Sequence, residues 1–271
     1  MRCKNVFLLV VAGIAGLTTR SQAAFTLGTA GNFAVLAGST ATNTGSSVIN
    51  GGDVGVSPGT ALTGFTPGII VPPYTIHAGD AVAMQAQNDL SIAYNAAAAL
   101  TPTQNLTGQD LGGLTLLPGV YFFSSSAQLT GTLTLNNLGD PNALFVFQIG
   151  STLTTASNSS VVSINGGSIP GSNVFWQVGS SATLGTGTAF EGHILALTDI
   201  TLDAGATILD GSALARNGAV TLDTNLITNA VTSVPEPTTM MLSLIGGAML
   251  IVPSLAKKLR RPCAATAPPL G

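Results

Sequence analysis

Few residues in this sequence are of a type that does covalent or metal chemistry, and their spacing does not favour it. His77 and His193 have no cysteine or second histidine at ligand spacing, so both suit structural roles better than a zinc site. Asp199, Asp203, Asp210 and Asp223 could hold calcium if turns gathered them, but isolated aspartates in turns more often cap backbone groups. Arg216 is the single cation between residues 25 and 233, and it is expected to meet a carboxylate near Asp199 or Asp210, or a carbonyl. Nine aspartates and Glu191 stand against that one arginine, a formal net charge of −9 for the segment. Solenoids that cleave acidic polysaccharides use clustered carboxylates with a basic residue or calcium. Nucleic-acid binding needs a basic face. Neither pattern occurs, so no enzyme activity, metal, cofactor or nucleic-acid partner is expected.

What the segment does have is threonine and serine in repeated positions. Charged residues make up 7% of the chain, far below the ~25% usual for soluble domains. Val146-Phe147-Gln148-Ile149-Gly150-Ser151 aligns with Phe175-Trp176-Gln177-Val178-Gly179-Ser180 at an offset of 29, and Ile200-Thr201-Leu202-Asp203 aligns with Val220-Thr221-Leu222-Asp223 at an offset of 20. Repeats of this length point to stacked solenoid coils, each of three short strands joined by turns at Gly, Asn and Asp. Under the longer offset Thr152 meets Ser181 and Thr154 meets Thr183, with Leu153 and Ala182 pointing inward. The same alternation turns Thr130, Thr132 and Thr134 outward in the preceding coil, and Thr201 and Thr221 continue the column. Further along the turn, Ser157 pairs with Thr186 and Ser159 with Thr188 as a parallel border. The expected result is a flat, rigid, charge-free hydroxyl face.

Other elements must hold that face in place. Residues 80–100 lack Gly and Pro and read as a helix capped by Asp80, with an apolar stripe of Val82, Met84, Ala86, Leu90, Ala93, Tyr94 and Ala97. This helix should lie along one solenoid face, and the strands around Phe145 and Val174, apolar on both sides, suit that covered face. Trp176 is expected in the core rather than stacking a sugar. Residues 51–79, with Pro58, Pro67, Pro72 and Pro73, show few strand signals and should form an insertion capping one end.

The two ends of the chain read as addresses. Residues 1–23 have Arg2 and Lys4 before an apolar run over 6–17, then Ser21 and Ala23, the pattern of a cleaved signal peptide. Residues 238–256 carry no charge and are long enough to span a bilayer, with Lys257, Lys258, Arg260 and Arg261 behind them to stay cytoplasmic. Cys3 and Cys263 belong to these ends, so the central domain has no disulfide framework. Pro235-Glu236-Pro237, the span and the basic end resemble the PEP-CTERM sorting signal over residues 233–261, with 262–271 as an extra tail. That resemblance implies processing by signal peptidase and an exosortase, passage through the membrane by the C-terminal span, and an extracellular or cell-surface destination.

The central domain, residues 24–232, resembles the large microbial ice-binding family. The residues that carry this are Leu27-Gly28-Thr29-Ala30-Gly31-Asn32-Phe33-Ala34-Val35-Leu36, Gly55-Val56-Ser57-Pro58-Gly59, Gly119-Val120-Tyr121, Phe175-Trp176-Gln177-Val178-Gly179 and Ala213-Leu214-Ala215-Arg216. The resemblance implies an all-β fold with one long helix: an irregular, right-handed, three-sided β-solenoid with a capping insertion and the helix packed alongside. It also implies adsorption to ice through one flat face. The Thr-Ala/Gly-x-Thr/Asn pattern associated with that surface fits at Thr155-Ala156-Ser157-Asn158 and misses its last position at Thr186-Gly187-Thr188-Ala189. Thr29-Ala30-Gly31-Asn32, Thr40-Ala41-Thr42-Asn43 and Thr63-Gly64-Phe65-Thr66 also match it but are expected off the face. The competing reading is a non-catalytic structural or adhesive module of an extracellular matrix.

Overall fold

A computed structural model describes residues 26–166 and 173–229. The signal segment 1–23, the sorting motif Pro235-Glu236-Pro237, the span 238–256 and the tail 262–271 lie outside the described residues. Among the described residues no helix is long and apolar enough to cross a membrane.

All strand pairings are parallel, and the strands repeat in threes to form a three-sided solenoid. One coil runs Phe145–Ile149, Leu153–Thr155, Ser160–Ile164; the next begins at Val174–Val178 and continues through Ala182–Leu184. Their registers are those of the 29-residue offset, with Val146 beside Phe175 and Thr154 beside Thr183. The 20-residue offset likewise places Thr201 beside Thr221. Two strands, Ala189–Ala196 and Thr207–Ala215, are long enough to turn a corner and serve two sides. The corner is made at Gly192 and Gly211: Gly192 has φ +100, and a Cβ on Gly211 would sit 1.9 Å from the Gly192 carbonyl oxygen. Only glycine permits that approach.

Stack order departs from chain order. The first coil, Phe33–Ala37, Thr40–Thr44 and Val48–Asn50, pairs with the last, so that Val35 lies beside Ala213, Thr42 beside Thr221 and Ile49 beside Ile227. Asn229 fastens this seam by donating to the carbonyls of Gly31 (2.9 Å) and Phe33 (3.2 Å). From the seam the chain climbs to one end of the stack and must then return to the other. The helix Ala81–Ala99 makes that return, running from Ile76–Ala78 at one edge to Gln104–Asn105 at the other. Nineteen residues at ~1.5 Å each span about 28 Å, most of the height of the strands it crosses.

The helix begins at Asp80, whose carboxylate accepts the Ala83 N–H at 2.9 Å, and ends where Gln148 donates to the carbonyls of Ala97 and Leu100. Its buried stripe is Ala83, Ala86, Leu90, Ala93, Tyr94 and Ala97. Val82 and Met84, expected in that stripe, are exposed, because a straight 3.6-residue period puts Ala83 on the sheet side and its neighbours off it. The helix covers the outward side chains Val120, Val146, Phe175, Leu195 and Leu214. Trp176 points the other way, into the solenoid, stacked on Phe147 at 3.8 Å with its indole N–H donating to the Glu191 carbonyl.

Two further expectations are corrected. Residues 51–79 do cap an end of the stack, but as paired solenoid strands rather than as a strand-poor insertion: Asp53–Val56, Ala61–Thr63 and Ile69–Ile70 form a coil, and Ile76–Ala78 starts another. The prolines fall between these short strands, so they do not block pairing. Arg216 lies under the helix instead of beside Asp199 or Asp210, with its guanidinium 4.6 Å from the centre of the Tyr94 ring and Nε donating to Ser91 Oγ at 3.3 Å. A cation so placed ties helix to sheet through an aromatic face.

Candidate functional site: a row of free threonines

One side of the solenoid is a separate seven-stranded sheet, and its strands are three to five residues long. Alternation sends Leu153, Ala182, Ile200 and Val220 into the core, where each is at most 1% exposed, and the next residue of each strand out. The outward positions align across the sheet by register: Thr154, Thr183, Thr201 and Thr221, then across the seam Thr42 and Thr63. Adjacent members are one strand spacing apart, ~4.8 Å. Thr63 donates to Thr42 at 3.4 Å; among the described residues the hydroxyls of Thr154, Thr183, Thr201 and Thr221 have no protein partner. β-Branching holds each of them in a narrow range of χ1, so the row offers methyls and unengaged hydroxyls at fixed places.

Thr42 and Thr63 were expected off this face. They join it only because the first two coils stack beyond the last, a long-range pairing that no local repeat announces.

The remaining sequence-derived residues divide. Thr152 and Ser181 flank the row, but their hydroxyls are engaged, Thr152 with Ser126 at 2.8 Å and Ser181 with Thr198 at 2.9 Å. Ser157 and Thr186 are exposed in the turns beyond the row, and Thr130 is exposed in the equivalent turn of the preceding coil. Thr132 belongs to another side of the solenoid, paired with Ser160 and bonded to its hydroxyl at 2.8 Å. Thr188 is fully buried. Its hydroxyl lies 2.8 Å from that of Thr155, itself inward-facing, and donates to the Ala156 carbonyl at 3.3 Å. The expectation of an outward Thr188 fails because the turn residue Gly187 has φ +69, which resets the direction of the chain and breaks the alternation counted across it.

Charge is kept to the borders rather than removed from the face. Asp223 lies beside Thr44 at one margin, where its carboxylate accepts the Thr224 hydroxyl. Asp199 accepts the Ala219 N–H at 2.8 Å at the other margin, a backbone-capping role. Asp110, bridged to Gln128, stands at the far end of the row. Burial opposes its ionisation, but donors from Gly112 and Thr130 outweigh that and hold its carboxyl below the usual carboxylate range.

Both histidines are tied into the structure. His193 is buried against Phe175 with Nδ1 2.8 Å from Ser212 Oγ. His77 Nδ1 lies 2.7 Å from Asp80 at the helix start. Among the described residues no group of three or more His, Cys, Asp and Glu side chains is placed to hold a metal.

A sequence model of the ice-binding-like family matches residues 35–228. The chain belongs to the ice-binding-like family. It is 55% identical over 267 residues to the ice-binding protein of Nostoc sp. strain HG1, covering 95% of this chain and 97% of that protein. A crystal structure of an ice-binding protein from an Antarctic biological consortium is 48% identical, covering 80% of this chain and 96% of its own, with a TM-score of 0.72. The ice-binding protein of the Antarctic ascomycete Antarctomyces psychrotrophicus is 43% identical, covering 75% and 97%, with a TM-score of 0.71. These likenesses extend over most of the solenoid.

Proposed function

We propose that this chain is an exported ice-binding protein that adsorbs to ice through its threonine face, acting as an antifreeze or as an inhibitor of ice recrystallisation. The observation that carries the reading is the row Thr154, Thr183, Thr201, Thr221, Thr42 and Thr63, in register and with most of its hydroxyls unengaged. A charged side chain holds water in an orientation of its own. Threonine instead offers one hydroxyl and one methyl on a stiff stem, which orders water without gripping it.

Strands ~4.8 Å apart set one repeat of the array, and alternate residues along a strand, at twice the ~3.4 Å rise, set another. Because the array is preformed, adsorption loses little conformational entropy. Ice growing between adsorbed molecules must bulge, and the curvature lowers its local freezing point. The action needs no turnover, cofactor or metal. Thr152, Ser181, Ser157, Thr186 and Thr130 border the row and contribute less, because they are already bonded or lie in turns.

Export fits this role. The segment 1–23 serves signal peptidase, and Pro235-Glu236-Pro237 with the span 238–256 serves an exosortase, releasing the solenoid outside the inner membrane or at the cell surface. Finding residues 257–261 in the mature extracellular protein would contradict that processing. The function is tested by ice-affinity partitioning of the purified protein: it should enter a slowly growing ice phase, and a chain left in the liquid would refute the reading.

A further inference from the structure

The row of threonines stops abruptly at one end. After Thr154 the next strand, Ala127–Leu129, presents Gln128 at the same register position, and beyond it stands Asp110. The two residues differ in what they do for the fold. Asp110 accepts the N–H groups of Gly112 (2.7 Å) and Thr130 (2.9 Å), donors that an ending sheet would otherwise leave without partners.

Gln128 has no such duty. Its amide makes a single long contact, Nε2 to the Thr130 hydroxyl at 3.4 Å, in the turn just past the end of its strand. The side chain therefore leans along the strand instead of standing up beside Thr154. A depression of about 300 Å³ opens at this point, bounded by Gly108, Gln109, Asp110, Ser126, Gln128 and Thr154.

A flat crystal surface cannot follow such a depression, and an amide with free torsions has to be ordered before it can match a lattice. Ala127 and Leu129, on either side, are buried in the core like their counterparts in the neighbouring coils, so the backbone at 128 is already placed to carry another rung. Threonine also suits a strand better than glutamine.

We propose that Gln128 is the residue that ends the ice-contacting row, and that it limits the adsorbing area on a coil otherwise built to extend it. This rests on the reading of the threonine face given above. The test is Gln128→Thr in the full protein, with Gln128→Ala as the companion. Thermal hysteresis at fixed molar concentration should rise above the wild-type value in Gln128→Thr, seven rungs replacing six, with the melting temperature unchanged. Gln128→Ala should stay at the wild-type level, because the amide is outside the contact. An active wild type with no gain in Gln128→Thr, or a loss in Gln128→Ala, overturns this inference alone; a wild type with no ice activity overturns the reading of the face itself.

Discussion

Thr188→Val removes one hydroxyl while keeping the branched shape of the side chain. In the fold that hydroxyl sits in a short chain of hydrogen bonds. The Gly185 N–H donates to Thr155 Oγ1 at 2.9 Å, and Thr188 donates onward to the Ala156 carbonyl, so the Thr155 hydroxyl donates to Thr188. The substitution leaves the Thr155 O–H without an acceptor, while the Ala156 carbonyl keeps the Ser159 N–H at 3.2 Å. One buried orphan costs about 1–3 kcal/mol. For a domain of this size each kcal/mol moves the Tm by about 2–4 °C, which gives a fall of about 2–12 °C by circular dichroism. Thermal hysteresis at the freezing point should not change, because the protein remains folded there. An unchanged Tm together with lost ice activity would refute the placement and put Thr188 on the ice-contacting surface, as its sequence position suggests.

Other consequences are equally direct. Thr42→Tyr, on the first coil, should abolish most ice activity at a stability cost within ~0.5 kcal/mol, whereas Thr132→Tyr on another side should leave activity intact; both are read by thermal hysteresis. Burial, aided by the charge of Asp210, raises the pKa of Glu191, so the folded form holds the proton more tightly than the unfolded chain and stability falls as pH rises through the raised value. Glu191→Gln should therefore melt higher than wild type near pH 7 and match it below the ordinary glutamate range. The Thr29 hydroxyl, then its N–H, hold the Asp89 carboxyl low; that stability is present above the ordinary aspartate range and lost as pH falls through the depressed value. Melting curves of Asp89→Ala should lie below wild type at neutral pH and converge with it in strong acid.

The readable parts of the fold were those written as local repeats. Val146 beside Phe175 and Thr201 beside Thr221 follow from alignment of the chain with itself, and Asp80 marked its helix by the residues that follow it. The seam was not readable, because Thr42 meets Thr221 through the order of stacking, and the two strands share little beyond their threonine. Alternation also failed wherever it was carried through a corner. Gly131, with φ +90, delivers Thr132 to another side, and Gly187 delivers Thr188 to the interior. Parity along a strand survives only as far as the next left-handed residue. Within single strands it held, which is why Thr154, Thr183, Thr201 and Thr221 were legible as one column and Thr130 as exposed beside it, whereas Thr132 and Thr188, beyond their corners, were misplaced.

The central claim is that ice is met by the threonine row, and Thr201→Tyr tests it at the row's interior, between Thr183 and Thr221. The measurement is thermal hysteresis against concentration for the wild type and this variant, with circular dichroism to confirm equal folding. The account predicts that the variant stays folded and loses most of its activity at every concentration. Full activity in a correctly folded Thr201→Tyr protein would contradict it.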